Sequence, residues 1–208
     1  MLAEASLGDA YWGFGQSIGE RDTALKHFKR MAEEARRLLA GDPKSTNVKI
    51  DYAMSLMRYG GALAPRDPEA TRTLRESLDI VDAIAQSDPA NSGLRRQEMD
   101  LCLRLAARHV ELGDNERAVA LWRKSIAIGE AMAADPANLG ARTWLLRTYM
   151  PLGTELNRRG QRAEALAIAV KVKERAAEAQ QLDPVSPAVK DVTTRALHWA
   201  SKLPSAND

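Results

Sequence analysis

The sequence predicts an all-α fold: a right-handed α-solenoid (superhelix) of about four antiparallel helix pairs plus a C-terminal capping helix. Three observations predict it. Asp-Pro recurs at Asp42, Asp88, Asp135 and Asp183, at spacings of 46, 47 and 48 residues. A small residue keeps step: Ala24, Ala70, Ala118 and Ala165 lie 46, 48 and 47 apart, each 17 or 18 residues before the next of those aspartates. Between the markers, apolar residues recur mostly at steps of three and four, and no segment reads as a strand. Two markers drifting together are the signature of an internal repeat.

The repeat divides the chain into units of about 1–42, 43–88, 89–135 and 136–183, a cap helix at 187–203, and a frayed tail at 204–208, within one domain. Each boundary is a stop and a restart. Proline disfavours helical backbone in the residue before it, so each Asp leaves the preceding helix. Ser45, Asn91, Asn138 and Ser186 follow at a constant offset and are good N-caps. Pro187 occupies a first-turn place where its missing N–H costs little.

Within the first unit, Trp12 stands where a small residue is expected. In the second, Pro65-Arg66-Asp67-Pro68 replaces the turn glycine, with Asp67 and Pro68 as a new cap. The third shows the helical period best: Leu94, Met99, Leu101, Cys102, Leu105, Ala106, His109 and Leu112. Gly113 then ends the helix and Asp114 starts the next, which carries Ala118, Leu121, Trp122, Ile126 and Met132. In the fourth, Pro151 falls inside the first helix and is expected to kink it. The last helix aligns Val189, Val192, Ala196, Trp199 and Leu203 on one stripe, with Lys190, Asp191, Thr194, Arg195 and Lys202 off it. That is the pattern of a solvating cap.

Composition narrows the function classes. The 208 residues are 45% hydrophobic and 28% charged with a net charge of +2, which does not favour bulk nucleic-acid or membrane binding. Cys102 is the one cysteine, so no disulfide forms within the chain and a reducing compartment fits. Apolar runs fall far short of a membrane span, and the N-terminus has no basic leader. A cytoplasmic-type protein is expected. The first unit is short before its turn, which suggests a piece of a longer protein with Met1 as an expression start.

Catalytic chemistry is not indicated. His27, His109 and His198 are scattered over different units, without metal-ligand spacing. Cys102 falls on the buried side of its helix. The stretch "GFGQSIG" at 13–19 lacks the Gly-Lys-Ser/Thr ending of a phosphate loop. Glu33-Glu34 and Glu174/Glu178 read as solvated faces with intrahelical ion pairs, and Trp122 as core, with Trp12 and Trp144 less clearly so. No enzyme activity, cofactor or metal is expected. Residues 139–182 hold eight Arg or Lys against four Glu, either a solvated face or a surface for an acidic partner.

These residues resemble the tetratricopeptide repeat family. The likeness rests on Leu152-Gly153, Gly160 and Ala165 in the fourth unit, and on Leu105-Ala106, Gly113-Asp114, Ala118, Trp122 and Asp135-Pro136 in the third. The family places small residues where paired helices cross; all four alanines fit that demand, and Gly60, Ala106 and Gly153 supply the small first-helix partner in the second, third and fourth units. Its ordinary units run 34 residues, so these 46- to 48-residue units depart from it. They are similar to long arrays in the C-terminal regions of some bacterial Ser/Thr protein kinases.

The resemblance implies a protein-interaction module or scaffold, a regulatory piece of a larger signalling protein, that binds a peptide or partner segment on its concave face. It places there Met54 and Met57, then Asp100, Leu103 and Val110, then Arg147, Met150, Asn157 and Arg158. Ala64, Ala107, Glu111 and Thr154 fall on the same face. A methionine-rich start and a cationic end suit a partner with apolar residues followed by acidic ones. Self-association by end-to-end stacking is the alternative. An enzyme or a nucleic-acid binder fits less well.

Overall fold

The computed structural model describes residues 21–64 and 66–203. Trp12, the 13–19 glycine stretch, the first helix of the first unit, Pro65 and the 204–208 tail lie outside the described residues. All regular structure among the described residues is helical. The chain divides into two compact bodies, up to Gly113 and from Asp114. The division falls at the turn of the third predicted unit.

The first body contains α1 (Arg21–Gly41), α2 (Thr46–Ala62), α3 (Pro68–Ser87) and α4 (Ser92–Glu111). Consecutive helices pack on one another, the nearest-neighbour arrangement of a solenoid. The pairing is antiparallel. Arg21, at the start of α1, donates to the carbonyls of Ala62 and Leu63 past the end of α2. Ala24, Phe28, Met31 and Ala35 of α1 share a core with Tyr52, Leu56 and Tyr59 of α2 and with Ala70 of α3. Gly60 earns its place by contact: a Cβ there would lie 3.0 Å from Leu74 Cγ and 3.3 Å from the Ala70 carbonyl.

The second body contains α5 (Asn115–Ala133), α6 (Leu139–Arg158), α7 (Arg162–Leu182) and α8 (Pro187–Ser201). Here α6 is central, with α5, α7 and α8 all packed against it. It buries Leu145, Leu146, Tyr149, Leu152 and Leu156, each contributing on the order of 2 kcal/mol of transfer free energy. It runs as one helix through Pro151. Of the predicted stripe of the last helix, Val189, Val192 and Ala196 are buried and Trp199 and Leu203 half-buried, while Lys190, Asp191, Thr194, Arg195 and Lys202 are exposed. Trp199 of α8 lies against Gly153 of α6, and its indole N–H donates to Thr154 Oγ1 at 2.9 Å.

Every predicted restart is a formed cap. Ser45, Asn91, Asn138 and Ser186 each accept from the backbone N–H three residues on, at 3.4, 3.1, 2.9 and 3.4 Å. Asp67 caps α3 through the Glu69 N–H with Pro68 in the first turn, and Asp114 caps α5 through the Arg117 N–H. The aspartates of the Asp-Pro corners do more than leave the helix. Asp42 and Asp183 accept from the N–H of Ser45 and Ser186, and Asp135 accepts from that of Ala137. All four marker alanines are buried.

Two turns use glycine in the left-handed region, Gly113 at φ +78° and Gly160 at φ +74°. The second unit has no glycine there, and Arg66 adopts φ +67° instead. For arginine that conformation costs about 1 kcal/mol. Its Nε donates to the Glu111 carbonyl at 3.0 Å, which offsets part of the strain.

Two glycine substitutions separate conformation from contact. Nothing lies within 4 Å of a Cβ at Gly160, so Gly160→Ala should lose about 1 kcal/mol in urea unfolding through φ alone, leaving aromatic spectra unchanged. Gly153→Ala gains about 1 kcal/mol of helix propensity but must displace the Trp199 ring, an overpacking cost of about 1–3 kcal/mol. It should come out destabilised, with an altered near-UV Trp signal that Gly160→Ala does not show.

Candidate functional site

Five of the nine residues expected on a concave face lie in the first body. Met54 and Met57 on α2 and Leu103 on α4 are half-buried, and Val110 is exposed. Asp100 is half-buried and accepts from Arg104 Nε at 3.0 Å. The two helices that carry them are tied at one end. Arg108 of α4 donates to the carbonyls of Gly61 and Leu63, at the end of α2, while also pairing with Glu111.

The remaining four lie on α6 in the second body. Met150 and Asn157 are half-buried; Arg147 and Arg158 are exposed. The two cations are not equivalent. Both Nε and Nη2 of Arg158 reach Glu155, at 2.8 and 2.7 Å. Arg147 stands over the Trp144 ring, 5.2 Å from its centroid, which leaves its in-plane donors free for a carboxylate.

Much of the positive charge of 139–182 is answered inside the second body. Arg142 is buried, holds the carbonyls of Ala133, Asp135 and Asn138, and pairs with Glu178 at 2.9 Å. That pair crosses from α6 to α7, so Glu178 is more than the intrahelical partner the sequence suggested. Arg175 bridges Glu178 and Glu130. Tyr149 donates to Glu130; burial first, and then that carboxylate, push its phenol far above the usual range. Burial works against the Glu130 charge, but Tyr149 and Arg175 outweigh it and lower its pKa.

One opening lined wholly by described residues was not anticipated from the sequence. A groove of about 1130 Å³ lies in the first body, at the end where α1 stops, α2 starts, α3 stops and α4 starts. Leu39, Ile50, Ile80, Ile84 and Leu94 give it an apolar floor. Its walls carry Lys49 from α2 and Arg72, Arg75, Glu76 and Asp79 from α3, with Asp88 at the corner. Tyr52 donates to Glu76 across the wall at 2.7 Å, and burial followed by that bond raises its pKa to about 12, so the phenol stays neutral. None of the nine expected residues lines this groove. The available signal was Ile80 and Ile84, which lie beside the buried α3 stripe of Leu74, Leu78, Val81 and Ala85 and not on it.

Among the described residues, no group of three His, Cys, Asp or Glu is placed to hold a metal ion. No described helix is long and apolar enough to cross a membrane. Cys102 is buried, and so is Trp122, while Trp144 and Trp199 are half-buried. The chain matches no family model and no curated protein.

Glu155 yields a pH prediction. Its bonds to Arg158, with those to Arg159, outweigh burial and bring its pKa from 4.5 to about 2. A depressed carboxylate stabilises the fold above its unfolded pKa, and the contribution is lost as pH falls through the folded value. Glu155→Gln should therefore lower Tm at pH 7 and lose less Tm than the parent between about pH 4.5 and 2. Equal acid limbs for the two proteins in a thermal melt series would contradict the assignment.

Proposed function

We propose that this chain is a non-catalytic protein–protein interaction module that holds a peptide or partner segment. Support comes from the groove of the first body, an open aliphatic trough between polar walls set on helices whose ends are capped. A rigid helical frame with apolar floor and charged rim suits segment recognition, because the frame does not have to be ordered on binding. The resemblance to long repeat arrays beside bacterial kinases adds a context, a scaffolding or regulatory piece of a larger signalling protein.

The second body offers a separate contact. Arg147 is exposed and stacked on Trp144, with Met150 and Asn157 on the same helix, so an acidic residue beside an apolar one is the chemistry that suits it.

Selection of a phage-displayed peptide library on the 208-residue chain tests the module, with a scrambled library as control. Specific apolar-plus-charged segments should be enriched. Segments that use the second body should weaken about fivefold or more with Arg147→Glu. They should change little with Arg158→Gln, since that charge is already met by Glu155. Enrichment no better than the scrambled library would overturn the reading.

A further inference from the structure

The groove of the first body has six charged lining residues, and four of them are already engaged. Arg72 pairs with Glu69, Arg75 contacts the His109 ring nitrogen, Glu76 accepts from Tyr52, and Asp88 accepts from the Asn91 side chain. Lys49 and Asp79 remain. Among the described residues neither side chain has a hydrogen-bond or ion-pair partner.

Register sets these two at one level on opposite walls. Tyr52 meets Glu76, and Ser77 Oγ donates to the Ala53 carbonyl at 2.7 Å, which fixes the pairing of α2 with α3. Lys49 lies three residues before Tyr52, and Asp79 three after Glu76. In an antiparallel pair both displacements run the same way along the groove, towards Ile50, Ile80 and Ile84. The trough therefore presents an apolar floor with one unanswered cation on the α2 wall and one unanswered anion on the α3 wall. Along α3, from Arg72 to Ser87, it is roughly 22 Å long, about four helical turns.

We infer that the groove takes an amphipathic helix from a partner protein, with an apolar stripe flanked by an acid on one side and a base on the other. The inference rests on the interaction-module reading and names the guest of that groove. The stripe covers the isoleucines, the guest carboxylate meets Lys49, and the guest ammonium or guanidinium meets Asp79. This is the logic of the flanking charges in helix-to-helix pairing, where apolar seams give affinity and flanks give choice of partner. A guest with two like flanks satisfies one wall and repels the other. A mixed guest enters in one direction only, since reversing a helix in a trough exchanges its flanks and would set its acid against Asp79.

Three fluorescein-labelled 18-residue helical peptides with one leucine stripe test this by anisotropy at low salt, against the full 208-residue chain. One has Glu on one flank and Lys on the other, one has Glu on both, and one has Lys on both. The parent should bind the mixed peptide about 5- to 10-fold more tightly than either other. Lys49→Glu should transfer the preference to the all-Lys peptide, and Asp79→Lys to the all-Glu peptide. Ala83→Arg, at an exposed floor position, should abolish binding of all three without lowering Tm. Equal affinities, or a preference that does not move with Lys49 and Asp79, overturn the inference. If library segments bind while these three peptides do not, the module stands and the helical guest falls. If nothing binds, both fall.

Discussion

Everything in this chain depends on where its helices are forced to end. Proline denies the residue before it a helical conformation, and within four residues a side-chain oxygen starts the next helix. At Asp42 and Asp183 the aspartate supplies a second acceptor, for the N–H of the capping serine itself. A helix of about 20 residues left to propensity would fray or run on. Stopped at these places, the helices of the second unit are cut to lengths that bring Gly60 against Ala70 and Leu74. Corner chemistry thus fixes register, and register fixes packing. In the second body Arg142 adds a clamp, holding three carbonyls around the Asp135 corner from a buried position.

Charge in the two bodies is sorted by the same geometry. Cations that fall at helix ends or between helices are consumed there: Arg108 on the α2 carbonyls, Arg175 between Glu130 and Glu178, Arg159 between Glu155 and Glu116. Burial strengthens these pairs relative to open solution, although part of that gain only repays lost hydration. What is left unmatched is correspondingly informative, because a surface that settles most of its ions internally leaves few for guests. The eight-to-four excess of positive charge counted along residues 139–182 overstates the cationic character of that surface.

Helix type, the N-caps, the buried alanines, the left-handed glycines and the polar outer face of the last helix were all legible in the sequence, because each is set by neighbours within a few residues. Contacts between helices were less so. Glu178 read as a solvated helix face until α6 placed Arg142 against it, a pairing across 36 residues that no local pattern announces. Arg158 counted as a free cation although Glu155, three residues earlier, captures it; the spacing permitted that bond, and only the side-chain directions decide it. The groove was missed for a related reason. The expected face runs along the first helix of each unit, whereas the trough is built at a corner end of the first body, chiefly from α2 and from residues just off the buried stripe of α3.

The left-handed arginine at position 66 links two places that are far apart in sequence. Its unfavourable backbone state is offset by the carbonyl of Glu111, near the end of α4, so neither site is indifferent to the other. Loosening of the final turn of α4 removes that acceptor and lets Arg66 leave the left-handed region. The gain in backbone freedom at one end then favours further unwinding at the other. A single hydrogen bond thus ties the two segments, and whatever weakens one removes support from the other.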